Sequence, residues 1–216
     1  MTYDEIRKVC AAEGLAIVAA FHPGSGDSAP PGCQTLILLG PDEPGFWQRL
    51  KNSAEYRAAN PVDRWSERVI GALAARIGAE VLFPFGGPPY QPFIKWALAS
   101  GQVWQSPVTL LVHSEMGLMV SFRGALALKT RIDLPAPANG APCATCTAKP
   151  CLNACPAAAL SDTGYDVAAC HSYLDGAGRE TCLSGGCLAR RSCPVSQTYG
   201  RLREQSAHHM RAFHKG

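Results

Sequence analysis

The chain has 216 residues, 47% of them hydrophobic and 17% charged, a composition typical of a folded protein rather than a disordered one. Lys and Arg balance Asp and Glu over residues 1–139, so the net charge of +3 comes entirely from residues 140–216. This excess is weak for a nucleic-acid-binding surface and no nucleic-acid motif accompanies it, so no nucleic-acid partner is expected.

The sequence shows neither a signal peptide nor an apolar stretch long enough to span a membrane. It therefore predicts a cytoplasmic protein without a membrane partner. Because thiols stay reduced in the cytoplasm, the ten cysteines favour metal binding over a disulfide scaffold.

Helices and strands are mixed in the first half of the chain. Thr2 and Glu5 fit a capping box, so a first helix should run to about Glu13 and end at Gly14. Apolar runs, amphipathic patterns and breakers then predict strands at 15–21 and 34–40, helices at 44–58 and 63–77, and a strand at 80–85.

A short helix is expected at 92–101, followed by a hairpin or strand pair over 108–128 that turns around Ser114 to Gly117. The Pro- and Gly-rich residues after Leu134 read as a linker. The sequence thus predicts an α+β protein with an α/β domain at 1–139 and a cysteine-rich domain at 140–216.

The cysteine-rich region contains two groups of four thiols, and each group ends in Cys-Pro. Such spacing supplies enough thiolates for two metal sites. Proline disfavours the α region for the preceding cysteine and can begin a helix behind it. The first group is Cys143, Cys146, Cys151 and Cys155, and the second is Cys170, Cys182, Cys187 and Cys193.

The segments CATCTAKPCLNACPAAAL, VAACHSYL and CLSGGCLARRSCPV resemble the bacterial two-cluster ferredoxin module of epoxyqueuosine reductases and corrinoid reductive dehalogenases. The resemblance implies two [4Fe-4S] clusters, with the last cysteine of each group bound to the other cluster. The implied ligand sets are Cys143, Cys146, Cys151 and Cys193 for one cluster and Cys155, Cys170, Cys182 and Cys187 for the other.

Three of the intervals between these cysteines, TAKP in the first group and the two around Cys187, are longer than the family usually has, which leaves open that the second cluster is missing. A zinc site is a further alternative, because four thiolates at intervals of two and four residues also suit zinc. His171 beside Cys170 is a candidate hydrogen-bond donor to a cluster sulfur, or else an exposed helix histidine.

The segment LLVHSEMGLMVSFRGALAL resembles the strand-turn-strand of CblC-type cobalamin-processing proteins, whose fold is related to flavin nitroreductases. The resemblance implies a nitroreductase/CblC-like α/β sandwich for 1–139 that binds cobalamin or FMN, with His113 and Arg123 at the site. Tyr90 in GGPPYQPF is a further candidate for that pocket. The alternatives are a structural strand histidine, an Arg123 ion pair with a carboxylate, and a plain turn at Tyr90.

Together these features favour an iron–sulfur electron-transfer protein that serves a redox partner protein. One alternative is a reductase of the epoxyqueuosine reductase or dehalogenase type, in which clusters feed a corrinoid or flavin that reduces a small organic substrate. The other alternative is a zinc-stabilised interaction module.

Overall fold

The computed structural model describes residues 1–137 and 140–214. They form antiparallel sheets and mostly short helices, joined by turns and loops. The fold class is α+β, as the sequence predicts. In chain order the helices are α1 Tyr3–Ala12, α2 Gly45–Lys51, α3 Pro61–Ile77, α4 Phe93–Ala99, α5 Val167–Asp175, α6 Leu188–Ser192, α7 Pro194–Thr198 and α8 Arg203–Phe213. The strands are β1 Leu15–Phe21, β2 Thr35–Pro41, β3 Glu80–Leu82, β4 Val103–Gln105, β5 Leu111–His113 and β6 Gly124–Leu128.

The chain forms two compact units, Met1–Val103 with Ser121–Asn139, and Trp104–Val120 with Gly140–Gly216. The boundary expected near residue 139 lies outside the described residues. However, the segment 104–120, which the sequence analysis assigned to the first domain, groups with the cysteine-rich second unit. The domain expected at 1–139 is therefore interrupted by this segment.

The first unit is built on a four-stranded antiparallel sheet in the order β1-β2-β6-β3. Strand β2 is buried along its whole length, because it lies between two strands and its sequence TLILLGP is almost wholly apolar. Residues of α1, α2 and α3 pack with the sheet in one core. In it the rings of Phe46 and Trp65 lie edge to face, with their centroids 5.1 Å apart.

The expected elements of this unit are largely present. The Thr2–Glu5 capping box opens α1, and Gly14 follows the helix with a φ of 78°. The helix expected at 44–58 is shorter, because α2 ends at Lys51 and a 3₁₀ turn covers Ala54–Arg57. Among the described residues, no helix is long and apolar enough to cross a bilayer.

The turn expected around Ser114 to Gly117 is present, because His113 and Gly117 exchange both backbone hydrogen bonds, at 3.1 and 3.0 Å. The expected pairing of the strands on either side of this turn with each other is wrong. Strand β5 pairs with β4, whereas β6 pairs with β2 and β3 in the other sheet. Side chains satisfy the backbone between them: Leu118 N–H donates to Ser196 Oγ at 2.8 Å, Arg190 donates to Leu118 O, and Arg201 donates to Met119 O at 3.0 Å. A hairpin ladder is not needed where these partners exist.

Gly117 fixes this arrangement within the second unit. Its φ is 56°, and a Cβ at this position would lie 2.6 Å from Ser196 Oγ and closer still to Ser196 N. Both the left-handed backbone and the close approach therefore require glycine.

We predict that Gly117→Ala lowers the free energy of unfolding of the second unit by about 2–4 kcal/mol, from backbone strain and overpacking. Gly164→Ala is the matched control, because nothing lies within 4 Å of its added Cβ. Urea unfolding followed by circular dichroism measures both variants. Equal midpoints for the two variants would contradict the close packing of Gly117 on Ser196.

Candidate functional site

Four of the eight cysteines of the cysteine-rich region line one cavity of about 350 Å³ in the second unit. Three come from the first sequence group, and the fourth comes from the end of the second group. The pKa of Cys143 is raised first by burial and then by three neighbouring thiols, while Lys149 lowers it. We call these four residues the first quartet: Cys143, Cys146, Cys151 and Cys193.

The local backbone explains how these thiols are presented. Cys143 and Cys151 each lie in a 3₁₀ turn, Pro142–Ala144 and Pro150–Leu152, that begins with proline. Cys193 is extended, with φ −64° and ψ 123°, and Pro194 begins α7 directly behind it. This last geometry is the one that Cys-Pro predicts.

Cys155 differs from this expectation, because Pro156 is followed by a turn and not by a helix. Ala158 N–H donates to Cys155 O at 3.0 Å, and Ala158 itself has a φ of 48°. A residue in the left-handed region ends the turn before a helix can form.

Segment 104–120 supplies one wall of the first quartet's cavity through Ser106, Pro107, Val112 and Leu118. Three of the cavity's cysteines also contact the small apolar cluster around Val112 and Leu118. Burial disfavours the charged form of a thiol, so burial is the first cause of the raised pKa of Cys151. The backbone N–H of Leu152 acts in the opposite direction and lowers it.

The remaining four cysteines form a second group, defined by their electrostatic interactions. The pKa of Cys170 is raised first by burial, lowered by a hydrogen bond from Tyr165, and raised by the three other thiols. Burial likewise raises the pKa of Cys182, while the Leu188 N–H lowers it and the thiols of Cys187 and Cys155 raise it. We call these four residues the second quartet: Cys155, Cys170, Cys182 and Cys187.

The elements that carry the second quartet are short. Cys170 lies within α5, and Cys182 lies in a single π-helical turn, Arg179–Leu183. Cys187 is the N-cap of α6, and the N–H of Leu188, the first residue of that helix, donates to the Cys182 thiol. A hydrogen bond to a sulfur favours its thiolate form.

One arginine lies close to the second quartet. Burial lowers the pKa of Arg190, whereas the thiol of Cys187 raises it. Its guanidinium also holds the Leu118 carbonyl, so the same side chain links segment 104–120 to the second quartet. A cation at this position offsets part of any negative charge that the thiolates carry.

All ten cysteines have free thiols in the structure. Among residues 1–137 and 140–214, no three His, Cys, Asp or Glu side chains are grouped closely enough to hold a single metal ion. The two quartets are therefore groups of neighbouring thiols, and the first of them surrounds a cavity instead of converging on one point.

The residues expected to hold a corrinoid or flavin are divided between the units. His113 lies in the second unit, where its Nδ1 accepts the N–H groups of Glu115 and Met116 at 3.1 and 3.3 Å. Arg123 lies in the first unit and forms an ion pair with Asp63 at 3.4 Å. Tyr90, also in the first unit, is 67% exposed. Binding of cobalamin or FMN by these residues stays a prediction.

His171, next to Cys170, contacts the end of α8. Its Nδ1 lies 3.1 Å from His214 Nδ1, and His214 Nε2 lies 2.9 Å from Asp175 Oδ1. The ring of Phe213 meets His171 edge to face and stacks on Tyr165. The C-terminal helix therefore covers the side of the second quartet that carries Cys170 and Tyr165.

Sequence reasoning missed one polar residue of the first quartet's cavity. Ser106 is 5% exposed, and its Oγ has no hydrogen-bond partner among the described residues. Leaving such a hydroxyl unsatisfied costs about 1–3 kcal/mol. A lone serine in a strand-like segment carries no sequence signal, and its role is visible only once segment 104–120 is placed beside the cysteines.

The sequence matches no protein-family model, and comparison with curated proteins gave no match.

We predict that metal-free protein, denatured without reductant, reacts with a thiol reagent at ten sites per chain. In the native protein Cys10 should react far more slowly than the half-buried Cys33, because burial protects it and raises its pKa to about 11. Since the thiolate reacts, the Cys10 rate should rise about tenfold per pH unit from pH 8 to 10. Peptide mass mapping measures the extent of modification at both residues. In the denatured protein, fewer than ten reactive thiols would instead indicate disulfides.

Proposed function

We propose that this protein is an iron–sulfur electron-transfer protein that holds one [4Fe-4S] cluster in each quartet and exchanges electrons with a redox partner protein. The observation that carries the proposal is the cavity lined by Cys143, Cys146, Cys151 and Cys193. Each bound cluster would accept and release one electron at a time.

The form of the first quartet suits a cluster better than a single ion. Zinc draws four sulfurs to about 2.3 Å from its centre, which leaves no space between them. A cubane instead places one thiolate on each of four irons, so its ligands stand around a volume. Four thiols around about 350 Å³, with no single-ion group among the described residues, are compatible with the second arrangement.

The surroundings of the thiols also support cluster binding. Apolar residues from segment 104–120 exclude water from one side, and N–H groups such as that of Leu188 lie beside the sulfurs. Lys149 and Arg190 supply positive charge near the first and second quartets respectively. Burial, N–H donors and nearby cations are the means by which proteins adjust cluster potentials.

The two quartets are joined by short pieces of chain. Helix α6 has five residues and separates Cys187 of the second quartet from Cys193 of the first. At 1.5 Å per residue, the two Cα atoms are roughly 9 Å apart along the helix. Clusters bound by these two cysteines would be neighbours, so electrons could pass between them in series.

The finer fold assignments belong to this proposal. We infer a ferredoxin-like arrangement for the second unit, from the crossed pairing of its cysteine groups. A nitroreductase-related sandwich for the first unit rests only on the resemblance of its sequence. A cytoplasmic location follows from a function that needs reduced thiols.

The crossed pairing is tested by the iron content of paired alanine variants. Anaerobically reconstituted protein should hold about eight iron atoms, and Cys151→Ala about four. Adding Cys193→Ala should cost no further iron, because both cysteines belong to the same quartet. Adding Cys155→Ala instead should remove nearly all iron, because both quartets are then broken. Iron and sulfide assays with EPR after reduction measure each variant.

Cys33→Ala is the matched control, since Cys33 lies outside both quartets, and it should keep all of the iron. A Cys151→Ala, Cys193→Ala protein without iron would refute the crossed pairing. Wild-type protein that is colourless and carries stoichiometric zinc would refute the proposed function itself. It would then be a redox-silent, zinc-stabilised module that unfolds on chelation.

A further inference from the structure

We propose that the hydroxyl of Ser106 is a hydrogen-bond donor to the cluster bound in the first quartet and raises its reduction potential. This inference rests on the proposed function. It assigns a role to a residue that lies well outside the cysteine-rich sequence, on the segment 104–120 that joins the second unit.

Ser106 is held firmly on the wall of the cavity. Its backbone N–H donates to Leu110 O at 2.8 Å, and its carbonyl accepts from Thr109 N–H at 3.0 Å. Both main-chain groups are thus satisfied, and the turn that they close fixes the position of the side chain. The residue follows β4 directly, so the strand sets the direction from which it reaches the cavity.

The side-chain hydroxyl is the exception. It is buried and has no partner among the described residues, and Ser106 is one of the residues that line the cavity of the four thiols. The other polar side chains of this lining are exposed to solvent: Thr145, Thr147 and Lys149. Ser106 is therefore the buried donor that is available to an acceptor within the cavity.

Sulfur is the acceptor that the proposed function supplies there. A hydrogen bond to a cluster sulfur stabilises the reduced form more than the oxidised form, because the reduced form carries the additional negative charge. Loss of the hydroxyl should therefore lower the potential of the first cluster and leave that of the second unchanged. Ser106 acts as a positioning and tuning residue, since the cysteines alone bind the iron.

The test is an EPR-monitored redox titration of the reconstituted full chain. Ser106→Ala should lower the first cluster's midpoint by the equivalent of a three- to tenfold change in its reduction equilibrium, about 30–60 mV for one electron. The Cys151→Ala protein, which keeps only the second cluster, identifies the second cluster's signal. Ser100→Ala is the control, because this buried serine already donates to Ala97 O.

Ser106→Thr and Ser106→Val form a second, shape-matched pair that differs in the hydroxyl alone. Threonine should keep a potential near that of the wild type, and valine should reproduce the fall seen with alanine. This pair tests the role of the hydroxyl if the Ser106→Ala protein does not assemble its clusters.

Equal first-cluster midpoints for the threonine and valine variants would overturn the inference, as would an equal shift of both clusters. In either case the iron content would be unchanged and the proposed function would stand. Wild-type protein without iron, in contrast, would remove the proposed function and this inference together.

Discussion

The position of Cys193 is the constraint on which the second unit depends. This residue belongs to the second sequence group, yet its thiol completes the cavity formed by Cys143, Cys146 and Cys151. Its extended backbone, required by Pro194, turns the chain at the point where α6 ends and α7 begins. Segment 104–120 then closes over the same cavity, held by Ser196 of α7 and Arg190 of α6.

Burial favours the protonated form of these thiols in the protein without a bound group. Thiols brought together in an apolar environment resist ionisation, and the pKa of Cys143, Cys151, Cys170 and Cys182 is raised with burial as the first cause. Each thiol that ionises also disfavours the ionisation of its neighbours. A group that carries positive charge into the quartets would offset both effects, so its binding should be coupled to the release of protons from the thiols.

The sequence predicted the local elements better than their assembly. The capping box of α1 and the apolar runs of β1 and β2 act over neighbouring residues, so their patterns determine them. The segment 108–128 reads as a hairpin for the same local reason. Within it, Leu118 and Met119 instead bond to Ser196, Arg190 and Arg201, which lie far along the chain and show no periodic pattern.

The candidate site was likewise predicted in part from the sequence, while the rest of it is visible only in the structure. Counting cysteines and their Cys-Pro endings was sufficient to name eight thiols, because thiolate chemistry depends on residue type and spacing. The division of those thiols into quartets followed from resemblance alone at the sequence level. In the structure it rests on the cavity and on the electrostatic interactions of the thiols. Ser106 could not have been found, since a single hydroxyl becomes notable only when it is buried without a partner.

Crossing of the two sequence groups links the folding of the two stretches of chain that carry them. Neither sequence group contains a complete quartet, because Cys155 is needed by the second quartet and Cys193 by the first. Two independent metal knuckles could each form from one stretch of chain, with a short loop to close. Here either site requires both stretches together. Formation of either site should therefore order both stretches of chain, whereas each of two separate metal-binding modules would order only its own stretch.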